Sequence, residues 1–515
     1  MNLLKHLLLL ALVSLLAACG ASSSPPPASD SPRADDSGIV TEPELPLPPP
    51  APPMAWRKLW NMCAVPRPGL DPHNLPYYDL QGTLDDEMNW LRSWIDFTYL
   101  WYKDVPSDLN YYKYSDPHAW FDALKSPQLT ASGKPKDQFH FTYPSDKWDA
   151  LNSSGIALGY GVTWSRGTST SLPRFWLASM VEPGSPAASA GLRRGDQLAV
   201  IDGVDFLHAA SAELVAKINA GLTPAAAGEV HQFGVLRDGV AFSVSLEAAA
   251  VASTPVQNVK LIDTPTGKVG YLTFNSHNGA SERQLIDAIT ELKDAGVADL
   301  VLDLRYNGGG LLYVASELAY MIAGPGPTTG KVFERPTYND KMTPGAPIPF
   351  RSTAYGYSAP KPAKSGQALP TLGLRHVTVL STPGTCSASE SVINSLRGVD
   401  VDVTLIGGRT CGKPYAFTPT QNCGTTYFAI QLQGVNDKGF GDYADGFAPT
   451  CSAADDFGHA QGDPVETMLA AALAYRASGS CPSGSRAKSL PLQVVREQVH
   501  EIAIYPPNPS LELQR

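Results

Sequence analysis

The stretch Val377-Thr-Val-Leu-Ser-Thr-Pro-Gly-Thr-Cys-Ser-Ala-Ser-Glu390 combines the signals of a strand, a turn and a helix start. Its first four residues, Val-Thr-Val-Leu, are mostly apolar and typical of a buried strand, and the Pro-Gly pair indicates a tight turn. The apolar-periodic run that begins at Ser391 predicts a helix. A serine in such a turn is exposed beside backbone N–H groups that the helix leaves unpaired.

A lysine follows at a distance that suits the same site. Lys413 comes after a second strand-like run, residues 403–406, and a glycine pair. A serine hydroxyl is a weak nucleophile until a base takes its proton, and a lysine in an apolar pocket can be that base. The pair Ser387 and Lys413 therefore predicts a catalytic dyad without histidine. Taken alone, the two residues are also explained by a helix-capping serine and a solvated lysine.

Three blocks of sequence carry a family resemblance. They are Leu302-Asp-Leu-Arg-Tyr-Asn-Gly-Gly-Gly310, Ser387-Ala-Ser-Glu390 and Gly412-Lys413, in that order. Together they resemble the carboxyl-terminal processing (tail-specific) proteases, the S41 serine peptidases, over residues 150–475. The resemblance implies a hydrolase of peptide bonds on a ClpP/crotonase-like α/β core, built from βαβ units and needing no cofactor.

The resemblance also implies roles for individual residues. Ser387 is expected to be the nucleophile and Lys413 the general base. The backbone N–H groups of Ala388 and Gly309 are expected to hold the oxyanion, with Gly310 as the less favoured alternative to Gly309. Glycine at this turn lets the backbone approach a substrate closely.

Four further residues are expected to support or compete with these groups. Asp303 and Arg305 are expected to position the glycine turn through hydrogen bonds. Glu390 is expected to be structural, because a carboxylate is favoured near a helix N-terminus. Ser389 is the competing nucleophile, and at the helix start it is expected to cap or pack instead.

One position departs from the family pattern. Many relatives have a glutamine four residues after the lysine, which orients it, whereas this chain has Phe417. Gln421 is the nearest glutamine, and the spacing from Ser387 to Lys413 is one residue longer than usual in these proteases. The departures indicate a divergent subgroup and leave open which residue orients Lys413.

Residues 150–248 are similar to a PDZ domain. The similarity lies in the turn Gly184-Ser-Pro-Ala187, the pair Gly195-Asp196 and the strand that ends at Asp202-Gly203. A PDZ domain adds a peptide to an exposed strand edge and holds its terminal carboxylate in a glycine-rich loop. That loop is predicted at Leu158-Gly159-Tyr160-Gly161. The alternative is a PDZ domain that serves only as a lid or spacer.

The composition limits the classes of function. The chain has 515 residues, of which 43% are hydrophobic, so about three domains with sizeable cores are expected. A formal net charge of -10 argues against nucleic acid as a partner. No apolar run in the interior of the sequence reaches the length of a membrane span.

The N-terminus resembles a bacterial lipoprotein signal. Lys5 precedes an apolar run at residues 7–16, and Leu16-Ala-Ala-Cys19 matches a cleavage site. Residues 1–18 are therefore expected to be removed and Cys19 to be lipidated; a plain secretory signal is the alternative. Because no aspartate follows Cys19, the resemblance implies the outer membrane, facing the periplasm of a bacterial envelope.

Six cysteines remain, and an even number in an exported chain suggests disulfides. The sequence does not choose among their pairings. The preferred set joins Cys386 to Cys411, Cys423 to Cys451, and Cys63 to Cys481.

The predicted organisation is a multidomain α/β (α+β) chain. A Pro/Ser-rich tether at residues 19–53 leads to a small aromatic-rich helical domain at 54–149 and the PDZ-like β-rich domain at 150–248. The catalytic core is predicted at 255–475, with a surface excursion at 324–370. Residues 482–515 are predicted to be a loose C-terminal tail.

The expected partners are protein or peptide substrates with free C-termini, and the membrane through Cys19. Two other functions on the same fold stay open, a non-catalytic envelope adaptor and a protein that binds apolar ligands. Aspartates and glycines at 439–446 and 455–459 invite a calcium site, but turn chemistry explains them, and no metal is predicted.

Overall fold

The computed structural model describes residues 55–71, 74–167, 172–357, 359–482 and 492–495. The predicted signal segment at 1–18, the lipid site Cys19 and the tether to residue 53 lie outside the described residues. Within the described ranges, no helix is both long enough and apolar enough to span a membrane.

The N-terminal region contains four helices and three short strands. They are α1 (Ala55–Leu59), β1 (Met62–Cys63), β2 (Leu80–Gln81), α2 (Leu84–Thr98), α3 (Pro117–Ala123), β3 (Phe141–Pro144) and α4 (Ser145–Ser154). The longest, α2, begins at a capping box in which the side chains of Thr83 and Asp86 bind each other's backbone N–H groups. Trp90 and Trp94 stack on its buried face and contact Tyr427 of the catalytic core. The helical region therefore shares one aromatic core with the catalytic part of the chain.

A β-rich module follows. Its elements are β4 (Ile156–Gly159), β5 (Val162–Gly167), β6 (Trp176–Val181), α5 (Pro186–Ser189), β7 (Gln197–Ile201), β8 (Val204–Asp205), α6 (Ala212–Leu222), β9 (Val230–Arg237), β10 (Val240–Glu247) and β11 (Ala249–Ala252). Five strands form an antiparallel sheet in the order β10-β9-β7-β6-β5, and β4 pairs with β11. The module has its own apolar core, which includes Trp164, Phe206 and Phe233.

The catalytic region is built on a largely parallel sheet. Its first elements are β12 (Val256–Ile262), β13 (Val269–Phe274), α7 (Ser281–Asp294), β14 (Asp299–Asp303), α8 (Leu312–Ala323), α9 (Pro325–Thr328), β15 (Val332–Tyr338), β16 (Ile348–Pro349), β17 (His376–Ser381), α10 (Ala388–Gly398) and β18 (Asp402–Gly407). The remaining elements are β19 (Tyr415–Ala416), β20 (Thr420–Asn422), β21 (Thr425–Phe428), β22 (Leu432–Val435), β23 (Cys451–Ser452) and α11 (Thr467–Ser478).

The sheet order confirms the predicted βαβ architecture. The strands run β12-β13-β14-β17-β18-β23, and every pair after β12–β13 is parallel. All five residues of β14 are buried, as expected for a strand covered on both faces. Since β14 and β17 are neighbours, the glycine turn after β14 and the serine turn after β17 lie at the same edge of the sheet.

Two predictions about irregular segments are wrong. Residues 324–370 are not a surface excursion, because β15 pairs with β22, and Phe333, Ile348 and Tyr357 are buried. The tail is not entirely loose, because residues 492–495 form a strand, β24 (Leu492–Val495), on the β-rich sheet. Both segments were judged by composition, which does not reveal a distant pairing partner.

The disulfides confirm one predicted pair and correct two. Cys386 bonds to Cys411, as predicted. The other bonds are Cys63–Cys423 and Cys451–Cys481, so the predicted Cys423–Cys451 and Cys63–Cys481 pairs are wrong. Cys63 reaches Cys423 because the helical region packs on the catalytic core, which residue spacing does not reveal.

Candidate active site

Ser387 occupies a sharp turn between β17 and α10. Its backbone has φ 55° and ψ -119°, in the positive-φ region that residues with a side chain rarely adopt. Strain of this kind persists only where the surrounding structure enforces it, and it is common at functional sites. The turn leaves Ser387 half-buried, whereas the residues on both sides of it are buried.

Ser389 is used differently. Its side chain is buried, and its hydroxyl donates to the backbone oxygen of Asn307 at 3.1 Å. This hydrogen bond ties the start of α10 to the glycine turn. The expectation that Ser389 packs rather than reacts agrees with this contact.

Glu390 connects the serine turn to the lysine segment. Its Oε2 accepts hydrogen bonds from the N–H of Ser387 at 3.1 Å and of Lys413 at 2.8 Å. Its Oε1 accepts from the Thr410 hydroxyl at 2.5 Å and the Gly412 N–H at 2.9 Å. Burial raises the pKa of Glu390 above its usual value, although these four donors favour the carboxylate. One buried side chain thus holds both predicted catalytic residues by their backbones.

A covalent bond reinforces the same connection. The Cys386–Cys411 disulfide joins the residue before Ser387 to the segment that carries Lys413. The N–H of Cys411 also donates to the Thr385 carbonyl at 3.0 Å. The serine turn and the lysine segment are therefore linked by backbone, side-chain and covalent contacts.

Lys413 lies in an aromatic pocket. Only 8% of the residue is exposed. Its Nζ lies 3.9 Å from the ring centroid of Phe417 and 5.0 Å from that of Phe139, which comes from the helical region. Gln421 is turned away, since its amide donates to Asp149 at 2.9 Å. Phe417, at the position where the resemblance leads us to expect an orienting glutamine, instead packs its ring against the lysine.

The glycine turn lies directly on the serine turn. A Cβ atom added to Gly309 would come within 2.8 Å of Ser387 Cβ and of the Ala388 nitrogen, so only glycine fits there. Its φ of 99° also favours glycine, because residues with a Cβ atom rarely adopt this backbone conformation. The predicted nucleophile and the predicted oxyanion residues are thus brought together.

Asn307 and His277 hold the glycine turn from below. Asn307 Oδ1 lies 3.0 Å from His277 Nδ1 and accepts from the Gly309 N–H at 2.9 Å, while its Nδ2 donates to the Phe274 carbonyl. Burial lowers the pKa of His277 to about 3, so the ring is neutral and its Nδ1–H donates to Asn307. No sequence signal points to His277, because it follows β13 far from any of the three motifs.

The amides near the serine are not equivalent. The Gly309 N–H, which the resemblance favours, donates to Asn307 in this structure. For the N–H groups of Gly310 and Ala388 we find no hydrogen-bond partner among the described residues. The choice between Gly309 and Gly310 as oxyanion donor stays a prediction.

Arg305 is a fully buried cation beneath the turn. It binds Asp303 through Nε at 3.0 Å and Glu466 through both terminal nitrogens at 2.8 and 3.0 Å. Nη1 also reaches Asp455 at 2.8 Å. Burial favours the neutral form of Arg305, but the carboxylates more than offset it and hold its pKa well above its usual range. Asp455 and Glu466 were missed because they lie about 150 residues from Arg305 in sequence.

The β-rich module docks onto this network through one arginine. Arg194 binds Asp455 at 2.5 Å and donates to the Tyr306 hydroxyl. The Tyr306 hydroxyl donates to the second oxygen of Asp455 at 2.5 Å, and Arg194 also lies 4.2 Å above the Phe457 ring. The carboxylate of Asp455 therefore contacts both Arg194 of the β-rich module and Tyr306, the residue that follows Arg305.

The predicted peptide-binding loop lies just before β5. Leu158 and Gly159 belong to β4, and the Leu158 side chain is exposed. Tyr160 is a core residue whose hydroxyl donates to the Gly221 carbonyl at 3.0 Å. Gly161 has φ 77° and packs against Ser185, where a Cβ atom would not fit. At Tyr160 and Gly161, therefore, the candidates for peptide contacts are backbone groups and not side chains.

Comparison with protein families matches two parts of the chain. The description of peptidase family S41 matches residues 268–449, and that of the peptidase S41 N-terminal domain matches residues 86–143. The first match contains the serine turn, the lysine segment and the glycine turn. These two parts of the chain are therefore similar to the S41 peptidases.

Similar proteins agree with this assignment. A carboxyl-terminal-processing protease of Picosynechococcus sp. is 28% identical over 233 residues, which is 45% of this chain and 49% of that protein. A chloroplastic C-terminal processing peptidase of Tetradesmus obliquus is 32% identical over 160 residues, 28% of this chain and 32% of that protein. The chain thus spans about half or less of the length of these curated relatives.

A solved structure has the same fold. A protein of Bacteroides fragilis assigned to the S41 proteases superposes with a TM-score of 0.59 and 25% identity. The match covers 76% of this chain and 97% of that one. It confirms the predicted multidomain α+β architecture.

Proposed function

We propose that this chain is a serine-type endopeptidase that uses Ser387 as nucleophile and Lys413 as general base. The observation that carries the proposal is the shared carboxylate of Glu390, which accepts hydrogen bonds from the N–H groups of both residues. Such a contact holds the backbones of two residues from different segments of the chain in one fixed relation. Nucleophile and base need that relation for proton transfer.

In the proposed reaction, Lys413 Nζ takes the proton of the Ser387 hydroxyl as Oγ attacks the carbonyl carbon of the scissile peptide bond. The carbonyl oxygen becomes an oxyanion, held by the N–H of Ala388 and an N–H of the turn at Gly309 and Gly310. The proton then passes from Lys413 to the leaving amine, and an acyl-enzyme remains on Ser387. Water, deprotonated by Lys413, hydrolyses that ester and restores the serine.

The base must be neutral before it acts. Burial among Phe139 and Phe417 favours the uncharged amine, whereas their ring faces favour the ammonium ion. Since the active form of Lys413 is the deprotonated one, kcat/KM is expected to rise with pH through the lysine's pKa. A value of kcat/KM that stays constant down to about pH 5 would exclude Lys413 as the base, because buried lysines rarely titrate lower.

The substrates proposed are proteins of the bacterial envelope that are recognised by free C-termini. Support comes from the carboxyl-terminal-processing proteases among the relatives and from the PDZ-like order of loop and strand at residues 158–167. A lipid anchor on Cys19, facing the periplasm, belongs to the same proposal and rests on the signal-like N-terminal sequence.

The decisive experiment compares cleavage of an unfolded protein with an apolar C-terminus by the wild type and three variants. Ser387→Ala and Lys413→Met are each expected to lower kcat/KM by about a thousandfold or more. Ser389→Ala removes a neighbouring buried hydroxyl and is expected to cost at most about tenfold. Of the four proteins, only the wild type and Ser389→Ala should be labelled at Ser387 by a fluorophosphonate probe.

Two other results would change the assignment. Cleavage that survives both Ser387→Ala and Lys413→Met would mean that the reaction occurs elsewhere on the chain. Binding of the same chain end without cleavage by any of the proteins would favour the adaptor function.

A further inference from the structure

The strand β24 lies on β5, which would otherwise be the outer strand of the β-rich sheet. The sheet order is β10-β9-β7-β6-β5-β24, and β24 is antiparallel to β5. An outer strand exposes a row of unpaired N–H and C=O groups, to which an extended peptide can add. Here the peptide that adds comes from the chain itself, more than 300 residues downstream of β5.

We propose that the edge of β5 is a peptide-binding surface and that residues 492–495 are its resident occupant, which an incoming chain must displace. The inference deepens the proposed function, since it rests on that function for the identity of the incoming chain as a substrate. The bound segment itself is a feature of this structure and does not depend on the chemistry at Ser387.

The direction of β24 supports a role in recognition. Leu492 pairs with Gly167 and Val495 with Trp164, so the tail runs towards the beginning of β5. The loop at residues 158–161 immediately precedes β5. A peptide bound in this direction, and ending after its last paired residue, would place its terminal carboxylate near that loop, as expected for capture of a chain end.

Because its pairing with β5 is short, the segment at residues 492–495 is expected to be exchangeable. Four residues of β24 pair with β5. So short a ladder makes only a few backbone hydrogen bonds, each of which contributes little net stability. A tethered segment nevertheless competes strongly, because its covalent connection raises its effective concentration near the sheet. The apparent affinity for a free peptide is therefore expected to equal its intrinsic affinity multiplied by the fraction of unoccupied edges.

The test uses the full chain with Ser387→Ala, so that no peptide is cut. A release variant, Gln493→Pro with Val494→Pro, removes two consecutive N–H groups. Successive N–H groups of a strand point to opposite sides, so one of these two faces β5. The matched control places the same pair of prolines at Leu511 and Glu512.

A lock variant holds the tail on the sheet. Arg166 and Gln493 are directly opposite in the ladder, so Arg166→Cys with Gln493→Cys can form a disulfide across β5 and β24. Arg166→Ser with Gln493→Ser is its uncrosslinked control. The probe is a fluorescent peptide with the sequence of residues 489–495 and a free carboxylate, measured by fluorescence anisotropy.

We expect the release variant to bind the probe at least tenfold more tightly than its control, and the lock variant not to bind it. Hydrogen exchange of the amides at 164–167 should be faster in the release variant. Equal probe affinity in the release variant and its control, or tight binding to the lock variant, would overturn the proposal. So would absence of binding to every protein. Because the readout is binding, failure here is separate from failure of Ser387-dependent cleavage.

Discussion

The two surfaces that the proposed function uses are held in opposite ways. Ser387 and Lys413 are linked through the buried carboxylate of Glu390. The disulfide between Cys386 and Cys411, which lie close to them in sequence, adds a second link. The edge of β5, in contrast, is covered by four residues of backbone pairing. In the proposed function, the groups for bond cleavage are thus fixed in advance, whereas the surface proposed to select a chain stays open to exchange.

The largest effect is expected for Glu390→Gln, which removes the carboxylate that joins the serine turn to the lysine segment. The amide would place an N–H group against N–H and hydroxyl donors, leaving buried groups unpaired. We expect kcat/KM to fall by about a hundredfold or more and the free energy of unfolding by about 3 kcal/mol.

Glu282→Gln is the matched control for this change. Glu282 is also a buried carboxylate, and it accepts from the N–H groups of Gly356 and Tyr357. Its kcat/KM should stay within about threefold, because these contacts lie outside the serine turn and the lysine segment. An equal loss of kcat/KM in both variants would break the comparison.

The next effect concerns pH and the helix that follows Ser387. Ser391 on α10 donates to Glu334 at 2.8 Å, and burial raises the pKa of Glu334 to about 7. The folded state therefore keeps a proton that the unfolded state loses near pH 4.5. Stability from this group is present below pH 4.5 and is lost as pH rises to 7, by about 3 kcal/mol.

Glu334→Gln should remove that pH dependence. Its thermal midpoint is expected to fall less between pH 5 and pH 8 than the midpoint of the wild type. Parallel curves of thermal midpoint against pH for the two proteins would show that Glu334 does not lower the stability of the fold as pH rises.

A smaller effect is expected from the disulfide beside the site. Cys386→Ala with Cys411→Ala and Cys451→Ala with Cys481→Ala open bonds with sequence separations of 25 and 30 residues. Both should lose similar stability, about 3 kcal/mol in the chain-entropy account. Only the first should lower kcat/KM, by about tenfold, because it loosens the turn that aims Ser387. Equal kcat/KM in the two variants would mean that Glu390 alone fixes the turn.

The smallest effect is expected at the lysine pocket. Phe417→Leu keeps an apolar side chain but removes the ring face that favours charged Lys413. The pH midpoint of kcat/KM should move down by about half a unit to one unit. Phe139→Leu, whose ring is farther from Nζ, should shift the midpoint less. An upward shift would indicate that water entering the pocket outweighs the loss of the ring.

The sequence was sufficient for the elements whose signals are local. The strands β17 and β18 extend one residue beyond each end of the runs at 377–380 and 403–406 that predict them. Buried strands and amphipathic helices have their own periodicity, which does not depend on distant partners. The Cys386–Cys411 bond was predictable because its two cysteines flank motifs that the resemblance brings together.

The contacts that complete the site depend on distant parts of the chain. Phe139 comes from the helical region, Arg194 from the β-rich module, and Glu466 from the start of α11. None belongs to a motif, and each is selected by packing between regions. The corrected disulfides of Cys63 and Cys481 and the strand β24 were missed for the same reason.

The Cys63–Cys423 bond has a topological consequence. It joins residues 360 apart in sequence, so the whole β-rich module and most of the catalytic region lie within one closed covalent loop. A single backbone cut anywhere between these cysteines leaves one molecule of unchanged mass apart from the added water. Such a nick would be invisible on a gel without reductant and would show two fragments only after reduction.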